Sequence, residues 1–403
     1  MRSDRRDPQF SAYVTVSSAS AYAAHLGGST VFAGLTIGIP NVFSGLLLVP
    51  VMKIDQGRFP SAQRSSTCFD PDPGRYTRPL RIACAFLILG NILHAVAYRA
   101  NFLYLILIGR LVSGIGRTTL ASWLVIGQVF GMSAGPFICG VLFKVGFSNE
   151  VFNGFTSPGW ITSSIWLLFT VVIALLFRDL PAPHKPNMSE AVELGHVPLP
   201  DTEASPASRD TPLTRRQYAL IFTMCYASAA CFFTLGSFES AIPIYTPAAF
   251  GYSPYAAGNF IALGGLATLP FLLASVRYAR RFQDRVIHAT GALLGLAGLL
   301  LLLAVLAADR VVFGSFYVCW VLVALGFNLA STCTLSLLSK QLPDVWNRTI
   351  QYSNYLGRIA GAVFGGAAVQ IGMHNYVGVL IAVVGLMGAM QMVLWRDLKA
   401  KKG

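Results

Sequence analysis

The chain has 403 residues, of which 54% are hydrophobic and only 12% charged, and its net charge is +13. Soluble globular proteins have about 25% charged residues, so this composition excludes an ordinary soluble enzyme or binding domain. Apolar stretches of about 20 residues, the length needed to cross a bilayer core, recur along most of the chain. Because these stretches are continuous and do not alternate, they predict an all-α polytopic membrane protein rather than a barrel.

Twelve candidate spans follow one another, and the first and the fourth are short. Their predicted bounds are 10–27, 30–52, 80–98, 102–116, 118–143, 160–177, 218–244, 255–276, 286–308, 312–338, 350–371 and 376–395. The polar segment between the sixth and seventh spans has too little apolar content to fold. We therefore predict an N-terminal six-helix bundle over 1–177, a disordered cytosolic linker over 178–216, and a C-terminal six-helix bundle over 217–403 with a short cytosolic tail.

The positive charges alternate along the chain. Of the 30 Lys and Arg residues, 25 fall in alternate loops that we assign to the cytosol and 3 in the opposite loops. The remaining two, Arg110 and Arg358, lie within spans. An excess of Lys and Arg in cytosolic loops is typical of membrane proteins. It explains the net charge without nucleic acid, makes the lipid bilayer the expected partner, and places both termini in the cytosol.

Spans five and eleven resemble each other in sequence. Span five reads RTTLASWLVIGQVFGMSAG and span eleven reads RTIQYSNYLGRIAGAVFGG, and each begins with Arg-Thr and then places glycines four residues apart. Residues four apart share a helix face, so these glycines predict a groove that another backbone can approach closely. The glycines concerned are Gly127, Gly131 and Gly135 in span five and Gly357, Gly361 and Gly365 in span eleven, and the span-five motif contains one more glycine, Gly140. The groove serves either ordinary packing or a hinge, and Pro136 predicts a kink beside it.

Spans two and eight also correspond, because each has an early Ala-Gly pair, Ala33–Gly34 and Ala257–Gly258. The chain is therefore expected to contain a duplicated unit of six spans. Two parallel repeats of this kind, related by an axis along the membrane normal, are the layout of one large class of transporters.

These motifs resemble those of the major facilitator superfamily. The segment GQVFGMSAGP resembles its glycine–proline motif in helix five, and KIDQGR, with Asp55, Gly57 and Arg58, resembles its signature in the cytosolic loop after helix two. GRLVSGIG places Arg110 at the arginine of its fourth-helix motif. The resemblance implies two six-helix bundles, a cytosolic gate at Asp55, Gly57 and Arg58, and a role for Arg110 in proton coupling or cavity structure.

Two further motifs, FNGFTSPGW and FES in span seven, resemble a narrower eukaryotic branch of that superfamily. This branch contains the lysosomal transporter that is lost in a neuronal ceroid lipofuscinosis. The resemblance leaves a vacuolar or lysosomal membrane and the plasma membrane as expected locations.

Several polar residues within spans are candidates for a transport site. A charge inside a span costs roughly 2.5–3.5 kcal/mol on insertion scales, so it usually faces a cavity or a partner. Glu239 is either solvated near the outer surface or loads and releases a proton, and Arg358 occupies the repeat position of Gln128. Expected cavity-lining groups are Asn328, Asn354 and Tyr355. We interpret His25 and His94 as capping or packing residues.

Motifs typical of enzymes are missing from the sequence: there is no phosphate loop on a strand–helix unit, no HExxH and no nucleophile elbow. We therefore expect neither enzymatic activity nor a cofactor or bound metal. The predicted function is secondary active transport of a small solute or ion by alternating access, with proton coupling as a hypothesis. The alternatives are an anion channel lined by Arg110 and Arg358, and a member of the fold that does not transport.

The junction of spans four and five, LVSGIGRTTLASW, is unusual. The repeat places the start of span five at Arg117–Thr118, which leaves no residues for a turn after Gly116, whereas helix connections usually use about 2–8. We therefore predict that the chain lacks roughly twenty residues of helix four and its loop relative to the family, which would impair transport.

Overall fold

The computed structural model describes residues 16–42, 44, 77–118, 124–145, 149–176, 214–278, 282–339 and 347–399. Every regular element within these ranges is a helix. The helices are α1 Val16–His25, α2 Thr30–Gly38, α3 Thr77–Ala100, α4 Leu103–Thr118, α5 Leu124–Val145, α6 Ser157–Leu176, α7 Arg215–Phe250, α8 Pro254–Tyr278, α9 Asp284–Ala307, α10 Phe313–Ser339, α11 Asn347–Gly366 and α12 Met373–Val393, with a four-residue turn, Ala368–Ile371, after α11. The predicted all-α architecture is confirmed. We call α1–α6 the first half and α7–α12 the second half.

Most of these helices have the dimensions of membrane spans. Seven helices in the described ranges are long and apolar enough to cross a membrane, namely α3, α6, α7, α8, α9, α10 and α12. Shorter apolar helices cover Thr30–Val42, Leu103–Ile115 and Ala134–Val145. Large hydrophobic side chains on the outside, such as Leu175 and Leu176 of α6, are more than 70% exposed, as expected where lipid covers them.

The longest described helix is α7, with 36 residues. It begins behind a capping box in which the Thr214 hydroxyl accepts a hydrogen bond from the Gln217 N–H, and the Gln217 side chain accepts one from the Thr214 N–H. Gly251 ends it with a left-handed φ of 65°, a conformation that favours glycine. At 1.5 Å per residue α7 is about 54 Å long, so it projects beyond a bilayer core. The second half thus starts at Arg215, slightly before the expected position.

The boundary between α4 and α5 corrects the sequence-based expectation. Arg117 and Thr118 close α4 instead of opening the next span, and α5 begins at Leu124. Gly116 does not end α4 because a glycine inside a helix costs only about 1 kcal/mol relative to alanine. Residues 119–123 lie outside the described residues, so the expectation that none remain for a turn stays a prediction. With 16 residues α4 rises about 24 Å and is still short of a bilayer core.

The third and fourth helices of each half pack through glycines. In the first half, a Cβ atom added to Gly90 would lie 2.5 Å from the carbonyl oxygen of Gly109. In the second half, a Cβ atom added to Gly291 would lie 2.6 Å from the carbonyl oxygen of Gly326. Only glycine allows two helix backbones to approach so closely. Equivalent helix pairs therefore share one packing device, as expected for a duplicated unit.

The cores of the two halves differ in chemistry. The second half is built on a large apolar cluster around Trp320, which stacks on Phe238 at a ring distance of 5.9 Å. In the described part of the first half the apolar clusters are smaller, and many polar side chains are buried. These include Ser17, Ser18, Thr36, Asn91, His94, Arg110 and Ser113. The described part of the second half buries polar side chains as well, among them Glu239, His288 and Asn328, so the two cores differ mainly in the extent of their apolar clusters.

Candidate functional site

Arg110 lies within α4 and is only 3% exposed. Its Nε donates a hydrogen bond to the carbonyl oxygen of Thr36 on α2, at 3.4 Å. The neighbouring Gly109 packs on the backbone of α3, which brings this part of α4 deep into the first half. The guanidinium is thus held by main-chain packing on one side and a carbonyl on the other.

Polar groups from neighbouring helices surround Arg110. The Cys139 thiol of α5 donates to the Ser18 hydroxyl of α1 at 3.2 Å, and the Ser17 hydroxyl donates to the Pro136 carbonyl at 3.3 Å. The positive charge of Arg110 acts on both Cys139 and His94. The first five helices therefore converge on one polar cluster whose only formal charge, within the described residues, is the guanidinium.

Glu239 lies on α7 and is 4% exposed. Of the two sequence interpretations, simple solvation at the surface does not fit this burial. Residues four apart share a helix face, so Glu239 shares its face with Pro243, whose carbonyl accepts a hydrogen bond from the Ser20 hydroxyl of α1 at 3.1 Å. This stretch of α7 therefore lies beside α1 of the first half.

Arg358 is half-buried on α11, with its guanidinium 4.5 Å from the centre of the Phe232 ring. A cation over an aromatic face gains about 0.5–2 kcal/mol. The absence of a side chain on Gly236 lets the Arg358 backbone approach α7, since a Cβ there would lie 3.1 Å from the Arg358 carbonyl oxygen. Arg358 is thus packed against its own half by both its side chain and its main chain.

The surroundings of the two arginines are joined through α2. Thr36 accepts the hydrogen bond from Arg110, and two residues later a Cβ on Gly38 would lie 3.2 Å from the Cα of Ile359. Ile359 directly follows Arg358 in α11. The short helix α2 therefore contacts Arg110 on one side and the neighbour of Arg358 on the other.

The remaining predicted site residues are dispersed. The Ser228 hydroxyl donates to the Asn354 side-chain oxygen, which links α7 to α11. Asn328 is buried and donates to the Ala324 carbonyl of its own helix at 2.7 Å, and Tyr355 is half-buried. Gln128 lies in α5, but its side chain is outside the described residues, as are the predicted gate residues Asp55, Gly57 and Arg58.

The glycine face of α11 packs within the second half. Cβ atoms added to Gly357, Gly361 and Gly365 would clash with backbone atoms of Ala229, Phe233 and Ser237, respectively, which are also spaced four apart on α7. The two helices therefore run along each other at backbone distance for three turns. In α5, Gly135 and Gly140 are buried, whereas Gly127 and Gly131 lie in the part of the helix whose side-chain surroundings are not described.

The two halves meet at the end of the bundle that holds the α1–α2 and α7–α8 turns, which we call the distal end. Here Gly34 of α2 lies against Ala362 and Gly366 of α11, and Gly258 of α8 lies against Pro136 of α5. In the glycine register of the repeat, Pro136 and Gly366 are equivalent positions. The two Ala-Gly pairs therefore mark two matching contacts between the halves.

Further contacts close the same end. A Cβ on Gly140 would lie 3.0 Å from the Cα of Tyr255 in α8, and the Lys144 ammonium lies 4.9 Å from the Tyr255 ring centre. Together with the hydrogen bond from Ser20 to Pro243, these contacts connect α1, α2 and α5 of the first half to α7, α8 and α11 of the second. The distal end of the molecule is closed in this conformation.

The motif FNGFTSPGW folds into a capped turn before α6. The Asn153 side-chain oxygen accepts hydrogen bonds from the backbone N–H groups of Phe155 and Thr156 at 2.9 and 3.1 Å. Phe155 then stacks on Tyr22 of α1 at 5.4 Å, and Gly159 packs on the backbone of Asn91. Within the described residues the motif therefore builds a lid over the distal end of the first half.

Two relevant groups were missed by sequence reasoning. Ser20 gives no sequence signal for its contact with Pro243, because serine is common in short apolar helices. His94 was interpreted as a packing residue, but both of its ring nitrogens are buried without a hydrogen-bond partner among the described residues. His94 lies four residues after Gly90, at the glycine contact with α4, and the sequence does not indicate that this contact exists.

The chain is similar in sequence to several membrane proteins. No family model matches the chain. An uncharacterized MFS-type transporter of Schizosaccharomyces pombe is 28% identical over 415 residues, which covers 96% of this chain and 79% of that protein. An SPX domain-containing membrane protein of Arabidopsis thaliana is 25% identical over 416 residues, which covers 87% of this chain and 55% of that protein.

Solved structures share the fold at low sequence identity. A POT family transporter in complex with 5-aminolevulinic acid has a TM-score of 0.66 at 12% identity, covering 97% of this chain and 94% of that one. An inward-facing bacterial homologue of the human lysosomal transporter Spinster has a TM-score of 0.66 at 13% identity, covering 98% and 96%. A D-xylose–proton symporter has a TM-score of 0.64 at 15% identity, covering 98% and 97%.

Proposed function

We propose that this chain, which has the fold of the major facilitator transporters and sequence relatives named MFS-type transporters, is a secondary active transporter of a small solute. The observation that carries the proposal is the pair of buried charged residues, Arg110 and Glu239, on helices of opposite halves. Charges are kept inside membrane spans at a cost of roughly 2.5–3.5 kcal/mol each, so they generally serve an ion or substrate pathway. Two halves that meet at a closed end provide the second requirement of alternating access.

The closed distal end defines the state in the transport cycle. With both termini in the cytosol, as the distribution of Lys and Arg indicates, the distal end faces away from the cytosol. The conformation is then closed to the outside, and the other main state separates the halves at Gly34, Gly258 and Ser20. The glycine-rich helices α5 and α11 are the proposed hinge elements, with Gly127, Gly131 and Gly135 in one and Gly357, Gly361 and Gly365 in the other.

Proton coupling is part of the proposal and involves Glu239 and Arg110. A buried carboxyl group can alternate between neutral and charged forms when its surroundings change between hydrated and dry. The position of Glu239 on the α7 face next to α1 provides such a change, because this face is covered only while the distal end is closed. One proton per cycle would be taken up and released by this carboxylate.

The motifs FNGFTSPGW and FES further support membership of the eukaryotic branch that contains the ceroid-lipofuscinosis transporter. We accordingly propose a vacuolar or lysosomal membrane, with the plasma membrane as the alternative. Fluorescent tagging of the full chain distinguishes them, and co-localisation with neither marker would reject both.

The direct test is uptake of a panel of radiolabelled solutes by proteoliposomes containing the purified full chain, with protein-free liposomes as the control. Saturable uptake of at least one solute is expected. The competing anion channel, lined by Arg110 and Arg358, would instead give unitary anion currents in planar bilayers. Unitary anion currents without saturable solute uptake would show that the protein is a channel and would reject the transporter proposal.

A member of the fold that does not transport is a second alternative, and one observation favours it. The alignment with the Schizosaccharomyces pombe relative has 415 positions although it covers 96% of 403 residues, so gaps in this chain account for roughly thirty of them. A shortened α4 is consistent with missing residues at the α4–α5 junction. Sequencing of the expressed transcript tests this point, since a transcript reading directly through GIGRTTL shows that the cell makes the short form.

A further inference from the structure

His94 of α3 is a buried titratable residue that the transport proposal leaves without a role. It is 2% exposed, and neither Nδ1 nor Nε2 has a hydrogen-bond partner among the described residues. Leaving a buried polar atom without a partner costs about 1–3 kcal/mol, and native proteins retain few such atoms. Because both ring nitrogens of His94 carry this cost, we expect them to find hydrogen-bond partners in another conformation of the molecule.

The second half contains a natural comparison in the equivalent helix, α9. His288 is also buried, but its Nδ1 lies 2.7 Å from the Ala330 carbonyl oxygen, and its Nε2 contacts the Gln391 side-chain nitrogen. A carbonyl can only accept, so Nδ1 carries the hydrogen and Nε2 accepts from Gln391. His288 is therefore a satisfied structural histidine, and burial in the third helix of a half does not by itself leave an imidazole unpartnered.

The charge next to His94 favours the neutral form of its imidazole in this conformation. On α4, the positive charge of Arg110 acts on the ring, and a Cβ on the preceding Gly109 would lie 2.9 Å from the His94 backbone nitrogen. Tyr22 of α1 packs edge-on against the ring, and beyond it Tyr22 contacts Tyr98, on the same helix as His94, which in turn stacks on His25 of α1. None of these supplies a negative charge at neutral pH. An imidazolium would therefore be repelled by Arg110 while buried here.

Helix α1 connects His94 to the contact between the halves. Tyr22 covers the imidazole edge-on at a ring distance of 5.2 Å, and its hydroxyl donates to the His94 carbonyl oxygen at 3.0 Å. Two residues earlier, on the opposite side of the same helix, Ser20 donates to Pro243 of the second half. When the distal end opens, the contact between Ser20 and Pro243 is lost, and α1 is no longer held by the second half while it covers His94.

We propose that His94 is a proton-binding residue of the first half, neutral while the distal end is closed and protonated when that end opens. The inference rests on the proposed transport function. In the open state a ring nitrogen lone pair takes up one proton from the distal aqueous phase. When closure buries the ring again beside Arg110, the ring nitrogen releases that proton to water, and no other bond changes. His94 thereby adds a site for proton exchange to the one proposed at Glu239.

The protonation state can be measured without knowing the solute. The chain has six histidines, so 15N-histidine spectra of the full chain in liposomes contain few ring signals, and His94→Gln and His288→Gln assign the two buried residues. Between pH 8 and pH 5 the His94 signals should change from a neutral to a doubly protonated ring. The His288 signals should keep the Nδ1–H tautomer over the same range.

A locked form tests the link to opening. Lys144→Cys and Tyr255→Cys, joined by a short bismaleimide, hold the distal end closed, because the two side chains meet there across the halves. His94 should then stay neutral down to pH 5. Titration that is identical in locked and free protein, or no titration in either, overturns the inference. Because this readout needs no substrate, it remains decisive for His94 even when no solute of the panel is transported.

Discussion

Gly34 of α2 lies directly against the Ala362 backbone of α11, so the two halves touch main chain to main chain at the distal end. A Cβ atom added to Gly34 would also lie 3.0 Å from the Cα of Gly366. The contact leaves no room for a side chain, and neither neighbour is a flexible group that can move aside. A larger side chain at this position is therefore compatible only with halves that have moved apart at the distal end.

Gly34→Val is expected to shift the molecule toward the state that is open at the distal end. Overpacking of a close contact costs about 1–3 kcal/mol, which changes a balanced two-state equilibrium by about 5-fold to 150-fold. Faster maleimide labelling of a Tyr255→Cys reporter should reveal the shift. Gly385→Val is the matched control because no atom lies within 4 Å of a Cβ there. Equal labelling of both variants would contradict the steric explanation.

Gly361→Ala is expected to destabilise the second half itself. The added methyl group would lie 2.8 Å from the Phe233 carbonyl carbon, inside the contact between α7 and α11. A loss of about 1–3 kcal/mol should lower the thermal unfolding midpoint in detergent by several degrees. Gly378→Ala, which meets nothing within 4 Å, should leave the midpoint unchanged. If α11 is also a hinge, Gly361→Ala should lower the rate of solute uptake even at temperatures where the variant remains folded.

Arg110→Lys is expected to lower transport at least tenfold while the protein still folds. Lysine keeps the charge but lacks the planar guanidinium that reaches the Thr36 carbonyl through Nε. Uptake by proteoliposomes, normalised to the amount of folded protein from size-exclusion chromatography, provides the measurement. The exposed Arg310→Lys serves as the control. Full activity of Arg110→Lys would show that only the charge matters.

Glu239→Gln is expected to abolish the stimulation of flux by an inward proton gradient. The amide has nearly the same shape as the carboxyl group but binds no proton in the physiological range. Flux measured at equal pH on both sides, driven by the solute gradient alone, should persist. Proton-stimulated flux that is the same in the variant and the parent protein removes Glu239 from the coupling mechanism.

His288 and Gln391 are expected to behave as a structural pair. Removing one partner, as in Gln391→Leu, leaves a buried ring nitrogen unsatisfied and should cost about 1–3 kcal/mol. Combining Gln391→Leu with His288→Phe should cost less than the sum of the two single changes. A double-mutant cycle on thermal stability measures this coupling. Strict additivity would show that the contact contributes nothing.

Much of the fold follows from the sequence alone. Continuous apolar segments predict the helices because a bilayer offers no partners for backbone groups. The glycines of α11 and the Ala-Gly pairs lie where backbones approach closely, since a missing Cβ is a local property of the residue. Helix ends were less predictable: Arg117 and Thr118 extend α4, because two neighbouring glycines are too weak a signal to end a helix inside an apolar sequence.

The sequence by itself determined the class of protein, its span pattern and the polar residues that must be buried. It did not determine which backbone each glycine faces: Gly361 of α11 packs on α7 in its own half, whereas Gly34 of α2 packs on the opposite half. It also did not separate His94 from His288. Both are lone histidines in apolar helices, and only packing in three dimensions gives His288 two hydrogen-bond partners and His94 none among the residues that the structure describes. Local sequence fixes which groups are available, whereas the long-range packing of helices decides which of them are satisfied.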